Sequence, residues 1–278
     1  MSSGSKLAKA ASLLLHSPPG EVDDVFNDIR GIVGDDEALQ EHLEPVLAES
    51  NMQQFLVADV PERQSRVLLT PYNRVDDARY MDPNTRTTFA FDNLHRVASD
   101  PQDLEDGEAP EGEALRAAVQ KELDGYVAAH YPSGAANAFA HEGAVVSCIV
   151  SNRFSPTNFW NGSWRAVWSY NPSTRQLNGS AKIRVHYFED GNVQLDTQSD
   201  FTADVAAAGD DEAVAKRVVA IIRGYEADFQ LSIGDGYRQL SEKTFKGLRR
   251  ALPVTCNKID WDKIANYKIG WELGNAEN

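Results

Sequence analysis

The chain has 278 residues, of which 42% are hydrophobic, so it can bury a core as one large or two ordinary domains. Its formal net charge of −15 argues against a general nucleic-acid-binding protein, because affinity for a phosphate backbone requires neutralising cations. Two cysteines, Cys148 and Cys256, form neither a disulfide framework nor a metal-ligand spacing, which favours a reducing compartment. The apolar stretches are too short for a signal peptide or a membrane span, so we expect a protein that does not span a membrane.

Apolar residues at helical spacing predict three short helices near the N-terminus, over residues 5–16, 21–33 and 36–49. The tetrapeptide SPPG at 17–20 separates the first two helices. Because the connections are short, we expect the helices to pack antiparallel as a small bundle.

The pattern from 51 to 100 is irregular, and residues 100–113 are acidic with proline and glycine, which predicts a surface loop. This loop does not match a calcium-binding loop, because Gln102 and Leu104 would occupy the first two ligand positions. Helical spacing resumes over 115–130.

Three of the five tryptophans lie in the run NFWNGSWRAVWSYNP at 158–172, four residues apart. The pair Asn161-Gly162 predicts a tight turn, and the alternation that follows predicts a strand over 164–170. A flat aromatic face can be a ligand platform, but on a strand it is more typical of a core or a subunit interface.

Further strands are predicted at 145–150 and on both sides of EDGN at 189–192, where Asp190-Gly191 is a hairpin signal. Together these strands predict an antiparallel meander. One face of the strand before the turn is the more apolar, so it requires a cover. It consists of Ala181, Ile183, Val185 and Tyr187.

Apolar residues at helical spacing over 211–250 predict that cover, as one long helix. After Pro253, the residues Trp261, Ile264, Lys268 and Trp271 predict a short amphipathic helix, which fits a core element and a docking arm equally well. Residues 243–268 hold seven lysines and arginines against two aspartates, a net +5, so the rest of the chain carries −20. This asymmetry indicates either an anionic partner or a solvated helix face.

Common enzyme signatures are missing, including the P-loop, the dinucleotide fingerprint, the zinc-protease motif and the nucleophile elbow. The six histidines have no ligand spacing, and His186 is expected to be a hydrogen-bonded structural residue. We therefore expect no catalytic residue, no metal and no cofactor, although the 42 carboxylates leave room for a glycosidase pair.

Five runs of the sequence resemble one known family, in the family's order and along nearly the whole chain. They are HSPPGEVDDVFNDIR, RFSPTNFWNGSWRAVWS, KIRVHYFEDGNVQL, TFKGLRRALPVT and KIDWDKIANYKIG. These runs are similar to the alpha subunit of the heterodimeric F-actin capping protein.

The resemblance implies an α+β fold with five parts in chain order. They are an N-terminal helical stalk (1–50), a small globule with a connecting helix (51–135), an antiparallel meander sheet (136–205), one long helix over the sheet (210–250) and a C-terminal amphipathic tentacle that binds actin (253–278). The resemblance also implies a beta subunit as obligate partner, with each subunit contributing half of one large sheet. The tryptophan strand would then form sheet core or subunit interface, through Trp160, Trp164, Trp168 and Tyr187.

The function implied by the resemblance is calcium-independent capping of actin filament barbed ends in the cytoplasm, with no reaction catalysed. Basic residues at the end of the long helix and on the tentacle would contact the acidic surface of actin. The basic residues carried over by position are Lys246, Arg249, Arg250, Lys258, Lys263 and Lys268, and the predicted actin-binding residues also include the tentacle tryptophans Trp261 and Trp271. Phosphoinositides and capping-protein regulators are further candidate partners.

Two residues depart from the family pattern. Cys256 stands where a basic residue is common, and Trp271 replaces a lysine, so this tentacle has less charge and more apolar surface. Two alternative functions stay open on sequence alone. One is a structural subunit that caps an actin-related filament, and the other is a carbohydrate-binding module or carboxylate hydrolase that uses the tryptophans of 160–168.

Overall fold

The computed structural model describes residues 9–34, 36–104, 111–189 and 191–239, and it shows an α+β fold, as predicted. The α-helices of this part are α1 (Val22–Val33), α2 (Asp36–Gln53), α3 (Glu113–His130) and α4 (Asp211–Gln239). The strands are β1 (Val57–Val60), β2 (Ser65–Leu68), β3 (Arg79–Asp82), β4 (Thr87–Asp92), β5 (Val97–Asp103), β6 (Ala135–His141), β7 (Ala144–Ser155), β8 (Trp160–Asn171), β9 (Gln176–Tyr187) and β10 (Val193–Asp204).

The N-terminal helices form where apolar periodicity predicted them. Residues 9–12 are helical and lead into a 3-10 helix at Leu13–His16, while α1 ends at Gly34 in the left-handed conformation, with φ of 67°. The Gly34 N–H donates to the carbonyl of Arg30 at 3.0 Å, a common helix C-cap. A shared apolar cluster holds these helices together, and it includes Ala11, Leu14, Val22, Ile29, Leu43 and Leu47.

The prediction of irregular structure over 51–100 is wrong, because five short strands lie there. β1 pairs with β2, and β3, β4 and β5 form a three-stranded antiparallel sheet. Residues 100–103 belong to β5, so the loop predicted from residue 100 also starts too early. The sequence hides these turns because non-glycine residues take the positive φ that glycine usually signals. They are Phe55, Glu62, Gln64, Arg86 and Arg96.

The predicted antiparallel meander is confirmed as a five-stranded sheet with the order β10-β9-β8-β7-β6. The register places Trp164 opposite Ile183 and Ala166 opposite Ala181, so the aromatic face of β8 continues the apolar face of β9. The hairpin between β9 and β10 lies at the predicted turn. β6 was not predicted, because alanines and Asn137 give AANAFAH a weak strand signal.

The predicted turn at Asn161-Gly162 is also wrong, because both residues lie inside β8. Asn161 is paired with Phe154 and His186 in the sheet. The chain turns earlier, in a 3-10 helix at Pro156–Asn158, and Phe159 takes φ of 57°. The Asn161 side chain accepts a hydrogen bond from the Ser155 N–H at 3.2 Å, so it supports the turn from within the strand.

The long helix begins where it was predicted and covers the apolar face of the sheet. Ala215, Val218 and Ile222 on α4 are buried, as are Trp164 and Trp168 on β8. The chain divides into two units at Glu226, and the residues described after that point are the last part of α4. Residues 240–250 of the predicted helix and the predicted tentacle lie outside the described residues.

Candidate functional site

The eight predicted actin-binding residues, from Lys246 to Trp271, lie outside the described residues. The structure describes the sheet with its exposed edge and the helix α4, which precedes these residues in sequence. The candidate site is therefore built from the contacts that fix α4 on the sheet and from the surface available to a partner.

The predicted core or interface residues fall into two environments. Trp168 is completely buried and Trp164 is 7% exposed, so neither can offer its ring face to a sugar. Trp160 is half-buried, and the guanidinium carbon of Arg153 lies 5.9 Å from its ring centroid. Tyr187 is 40% exposed, and its hydroxyl donates to Glu189. Trp164 and Trp168 therefore cannot take part in a sugar-stacking platform on this strand.

A buried carboxylate joins α4 to the sheet and to α3. Glu226 is 1% exposed and accepts hydrogen bonds from the hydroxyl of Tyr126 at 2.6 Å, from the hydroxyl of Tyr131, and from the indole Nε1 of Trp168 at 3.1 Å. We call these four residues the Glu226 clasp. It connects elements that are about 60 to 100 positions apart in sequence, since the three donors lie on α3, just after α3 and on β8.

The electrostatics of the Glu226 clasp follow from its burial. Burial raises the pKa of Glu226, and the three hydrogen bonds from its donors oppose this shift without cancelling it. Burial and the nearby carboxylate of Glu226 raise the pKa of Tyr126 and Tyr131, so both phenols stay protonated and act as donors. Each donor therefore has its acceptor, which a buried polar cluster requires.

Trp168 needs a glycine opposite to it. Gly179 is its partner on β9, and a Cβ built at Gly179 would lie 2.0 Å from Cε3 of the indole. The indole therefore lies over the glycine backbone and reaches Glu226. Its ring also contacts Tyr225 edge to face, with centroids 5.4 Å apart.

β10 offers a surface for assembly. It pairs with β9 along one edge, and within the described residues no strand pairs with its other edge. This edge is twelve residues long, and Val193 and Leu195 on it are 64% and 42% exposed. A long unpaired edge with exposed apolar side chains is a template for pairing with another chain.

The described residues hold no group of three or more His, Cys, Asp or Glu side chains placed to bind a metal ion. His186 is hydrogen-bonded, as predicted, with Nδ1 2.5 Å from Oε1 of Glu21 and Nε2 3.2 Å from Oδ1 of Asn192. Burial raises the pKa of the Cys148 thiol, so it stays protonated. None of the helices described has the length and apolar character needed to cross a membrane.

Sequence reasoning missed the Glu226 clasp. Glu226 is one acidic residue among several on an amphipathic helix, and its partners come from distant parts of the chain. The available signals were weak ones. Glu226 lies four residues after Ile222 on the apolar side of the helix, and Trp168 needs a partner for its indole N–H when buried.

Comparison with known proteins covers nearly the whole chain. The F-actin capping protein alpha subunit family matches residues 10–272. An F-actin-capping protein subunit alpha from Neurospora crassa is 36% identical over 271 residues, 96% of each chain, and one from Caenorhabditis elegans is 34% identical over 281 residues, 98% of this chain and 99% of its own. A solved structure described as the homodimeric actin capping protein alpha subunit from Plasmodium berghei has a TM-score of 0.68 and 24% identity, covering 86% of this chain and 93% of its own, and supports the fold. Sequence and fold agree, and the chain belongs to the family of F-actin capping protein alpha subunits.

Proposed function

We propose that this chain is the alpha subunit of an alpha/beta heterodimer that caps the barbed ends of actin filaments without calcium. The assembly blocks both addition and loss of actin subunits, in the cytoplasm, and catalyses no reaction. The observation that carries this proposal is the family match from residue 10 to residue 272, which spans both the sheet body and the basic C-terminal segment.

Two features support the need for a partner. The outer edge of β10 is unpaired within the described residues and exposes Val193 and Leu195. In the last described part of α4, Leu231 and Tyr237 are 69% and 74% exposed. A partner strand and a partner surface would cover these groups, which favours assembly by burial of apolar area and by strand pairing.

The partner is a beta subunit in this proposal, and a second copy of the chain is the competing possibility, because the Plasmodium berghei relative is described as homodimeric. Sedimentation of the chain alone and of the chain co-expressed with a beta subunit separates them. We expect the chain alone to be unstable or aggregated, and the co-expressed pair to sediment as one heterodimer. A well-folded monomer or homodimer of the chain alone at micromolar concentration would contradict the obligate heterodimer.

Contact with actin is assigned to the basic segment, through Lys246, Arg249, Arg250, Lys258, Lys263 and Lys268, together with Trp261 and Trp271. The support is the charge distribution, with +5 over 243–268 on a chain that otherwise carries −20. A concentrated cationic segment on an acidic body directs encounter with an acidic partner surface. Phosphoinositides and capping-protein regulators are candidate ligands of the same segment.

Dilution-induced depolymerisation tests the capping proposal. Filaments diluted below the critical concentration lose subunits from their barbed ends, and the purified heterodimer should stop this loss at concentrations comparable to that of filament ends. Capping in a calcium chelator should equal capping with calcium. A heterodimer that leaves the depolymerisation rate unchanged would contradict the proposal.

A further inference from the structure

A polar cavity of about 310 Å³ lies on the face of the five-stranded sheet opposite to α4. Its walls come from the 3-10 helix at Leu13–His16, from the end of α2, and from β8, β9 and β10. The residues that line the cavity lie between Leu15 and Asp196 in sequence, so none of them belongs to the basic segment at 243–268.

The sheet register gathers three cations in this cavity. Arg165 on β8 is the cross-strand partner of Lys182 on β9, and Arg184 follows two residues later. Cross-strand partners and residues two apart project from the same face, so the three cationic heads share one surface. Asp196 on β10, the cross-strand partner of Arg184, is the carboxylate on the cavity wall.

The positive charge in the cavity is not balanced. Asp196 forms ion pairs with Lys182 at 3.1 Å and with Arg184 at 3.5 Å, and Arg184 also donates to the carbonyl of Ser17 at 2.9 Å. Arg165 forms no hydrogen bond or ion pair with any residue that the structure describes. Among the described residues that line the cavity, three cations therefore face one carboxylate, which leaves an excess of two positive charges.

Within the part of the chain that the structure describes, the surroundings of the cavity do not offset this excess. Burial and, to a smaller extent, the neighbouring Arg184 lower the pKa of Arg165 to about 10, while Asp196 acts in the opposite direction. α2 ends at Gln53 on the cavity wall, but a helix C-terminus supplies only about half a negative charge. A partly buried cluster of like charges is costly without a counter-anion.

We propose that this cavity binds the phosphate group of a small phosphorylated molecule. A phosphate carries about two negative charges at neutral pH, which matches the excess, whereas a carboxylate would neutralise only half of it. Guanidinium groups bind phosphate oxygens through paired N–H donors. The remaining wall consists of Leu15, His16 and four neutral polar side chains that can hydrogen-bond the rest of such a ligand, namely Ser50, Gln53, Gln54 and Gln194.

The test measures binding of inorganic pyrophosphate to the full-length chain, in the assembly in which it is purified, by calorimetry at constant ionic strength. We expect saturable binding that weakens about 10- to 100-fold in Arg165→Gln and in Lys182→Gln, because each variant removes one charged contact. Lys121→Gln makes the same charge change at an exposed site and should bind like the wild type. Pyrophosphate should also raise the melting temperature of the wild type but not that of Arg165→Gln.

A structural role for Arg165 predicts a different pattern. If Arg165 only holds the fold, Arg165→Gln lowers the melting temperature without phosphate, whereas we expect it to be unchanged or higher because a like-charge contact is relieved. Equal pyrophosphate binding by the wild type and all three variants would overturn the proposal. No saturable binding would also overturn it, and weaker subunit association in Arg165→Gln would then assign the cavity to an acidic side chain of the partner.

A lipid headgroup is a second source of the same phosphate chemistry, and co-sedimentation distinguishes it. Vesicles of phosphatidylcholine with and without phosphatidic acid are compared. Retention on phosphatidic acid vesicles that Arg165→Gln abolishes, and Lys121→Gln does not, would assign the phosphate to a membrane lipid. We expect no such difference, because the ligand is a soluble molecule. These measurements involve no actin, so their outcome is independent of capping.

Discussion

The carboxylate of Glu226 on α4 accepts a hydrogen bond from the indole Nε1 of Trp168 on β8, with the two atoms 3.1 Å apart. The same carboxylate accepts from the hydroxyls of Tyr126 and Tyr131, so α4 is fixed to the sheet and to α3 at one buried point. The Glu226 clasp is therefore the buried polar contact that joins α4 to the sheet and to α3.

Replacing Glu226 by glutamine should destabilise the protein by about 1–3 kcal/mol, because the amide nitrogen cannot accept the hydrogen bond of a tyrosine hydroxyl and leaves a buried donor unsatisfied. Urea denaturation of the purified assembly measures this change. Asp228→Asn is the control, since Asp228 is exposed on the same helix. Equal stability of the two variants would show that the clasp contributes nothing.

The clasp should also produce a pH dependence. The pKa of Glu226 is raised in the folded protein above the ordinary value of 4.5, so the folded state binds a proton more tightly than the unfolded state does. Protonation of Glu226 therefore favours folding most at low pH. This contribution to stability is lost as the pH rises from 4.5 through the raised pKa of Glu226 in the folded protein. The stability advantage of the wild type over Glu226→Gln should therefore shrink as the pH rises over that window, and a constant difference between the two proteins would contradict the raised pKa of Glu226.

Gly179→Ala should destabilise the sheet body by about 1–3 kcal/mol, because its Cβ would overlap the ring of Trp168 and force it away from Glu226. Thermal unfolding, with tryptophan fluorescence as the probe, reports both the loss of stability and the movement of the Trp168 ring. Gly162→Ala is the matched control, since the nearest atom to its Cβ is the Arg153 carbonyl oxygen at 3.8 Å. A similar melting temperature for both variants would contradict this packing.

Cutting the chain after Pro253 should leave assembly and melting temperature nearly unchanged, because a docking arm contributes little core. Capping should weaken, and dissociation from filament ends should quicken, because the arm adds contacts to those of the body. Single-filament imaging measures the dissociation rate. A cut after Glu272 is the control, as it keeps Trp261, Trp271 and the lysines. If the first cut prevents assembly while the folded remainder caps normally, the segment is core.

Short sequence patterns were enough to predict those helices and turns that are determined by neighbouring residues in the chain. Apolar spacing located α1, and Asp190-Gly191 located the β9–β10 hairpin. The turn at Pro156–Asn158 was displaced in the prediction, since the Asn161-Gly162 signal lies in a strand where neighbouring strands decide the conformation. The short strands over 57–103 escaped because their turns use non-glycine residues at positive φ.

The candidate site was less accessible from sequence, because it depends on contacts between distant residues. Burial of Glu226 among three donors requires α3, β8 and α4 to meet, and no local pattern reports this. The polar cavity lined by Arg165 and Lys182 was also hidden from sequence reasoning, because these residues become neighbours only through the register of β8 and β9.

Growth of actin filaments from barbed-end seeds, followed with pyrene-labelled actin, tests the central claim most directly. The purified heterodimer should stop growth at concentrations comparable to that of filament ends. When Lys246, Arg249 and Arg250 are changed to alanine, the concentration of heterodimer needed to stop growth should rise at least about tenfold, mainly because association with the filament end is slower. A control with Arg66, Lys121 and Lys216 changed to alanine alters net charge equally and should cap like the wild type. Unchanged growth at every concentration of wild-type heterodimer, or equal inhibition by the basic-segment variant, would contradict the account.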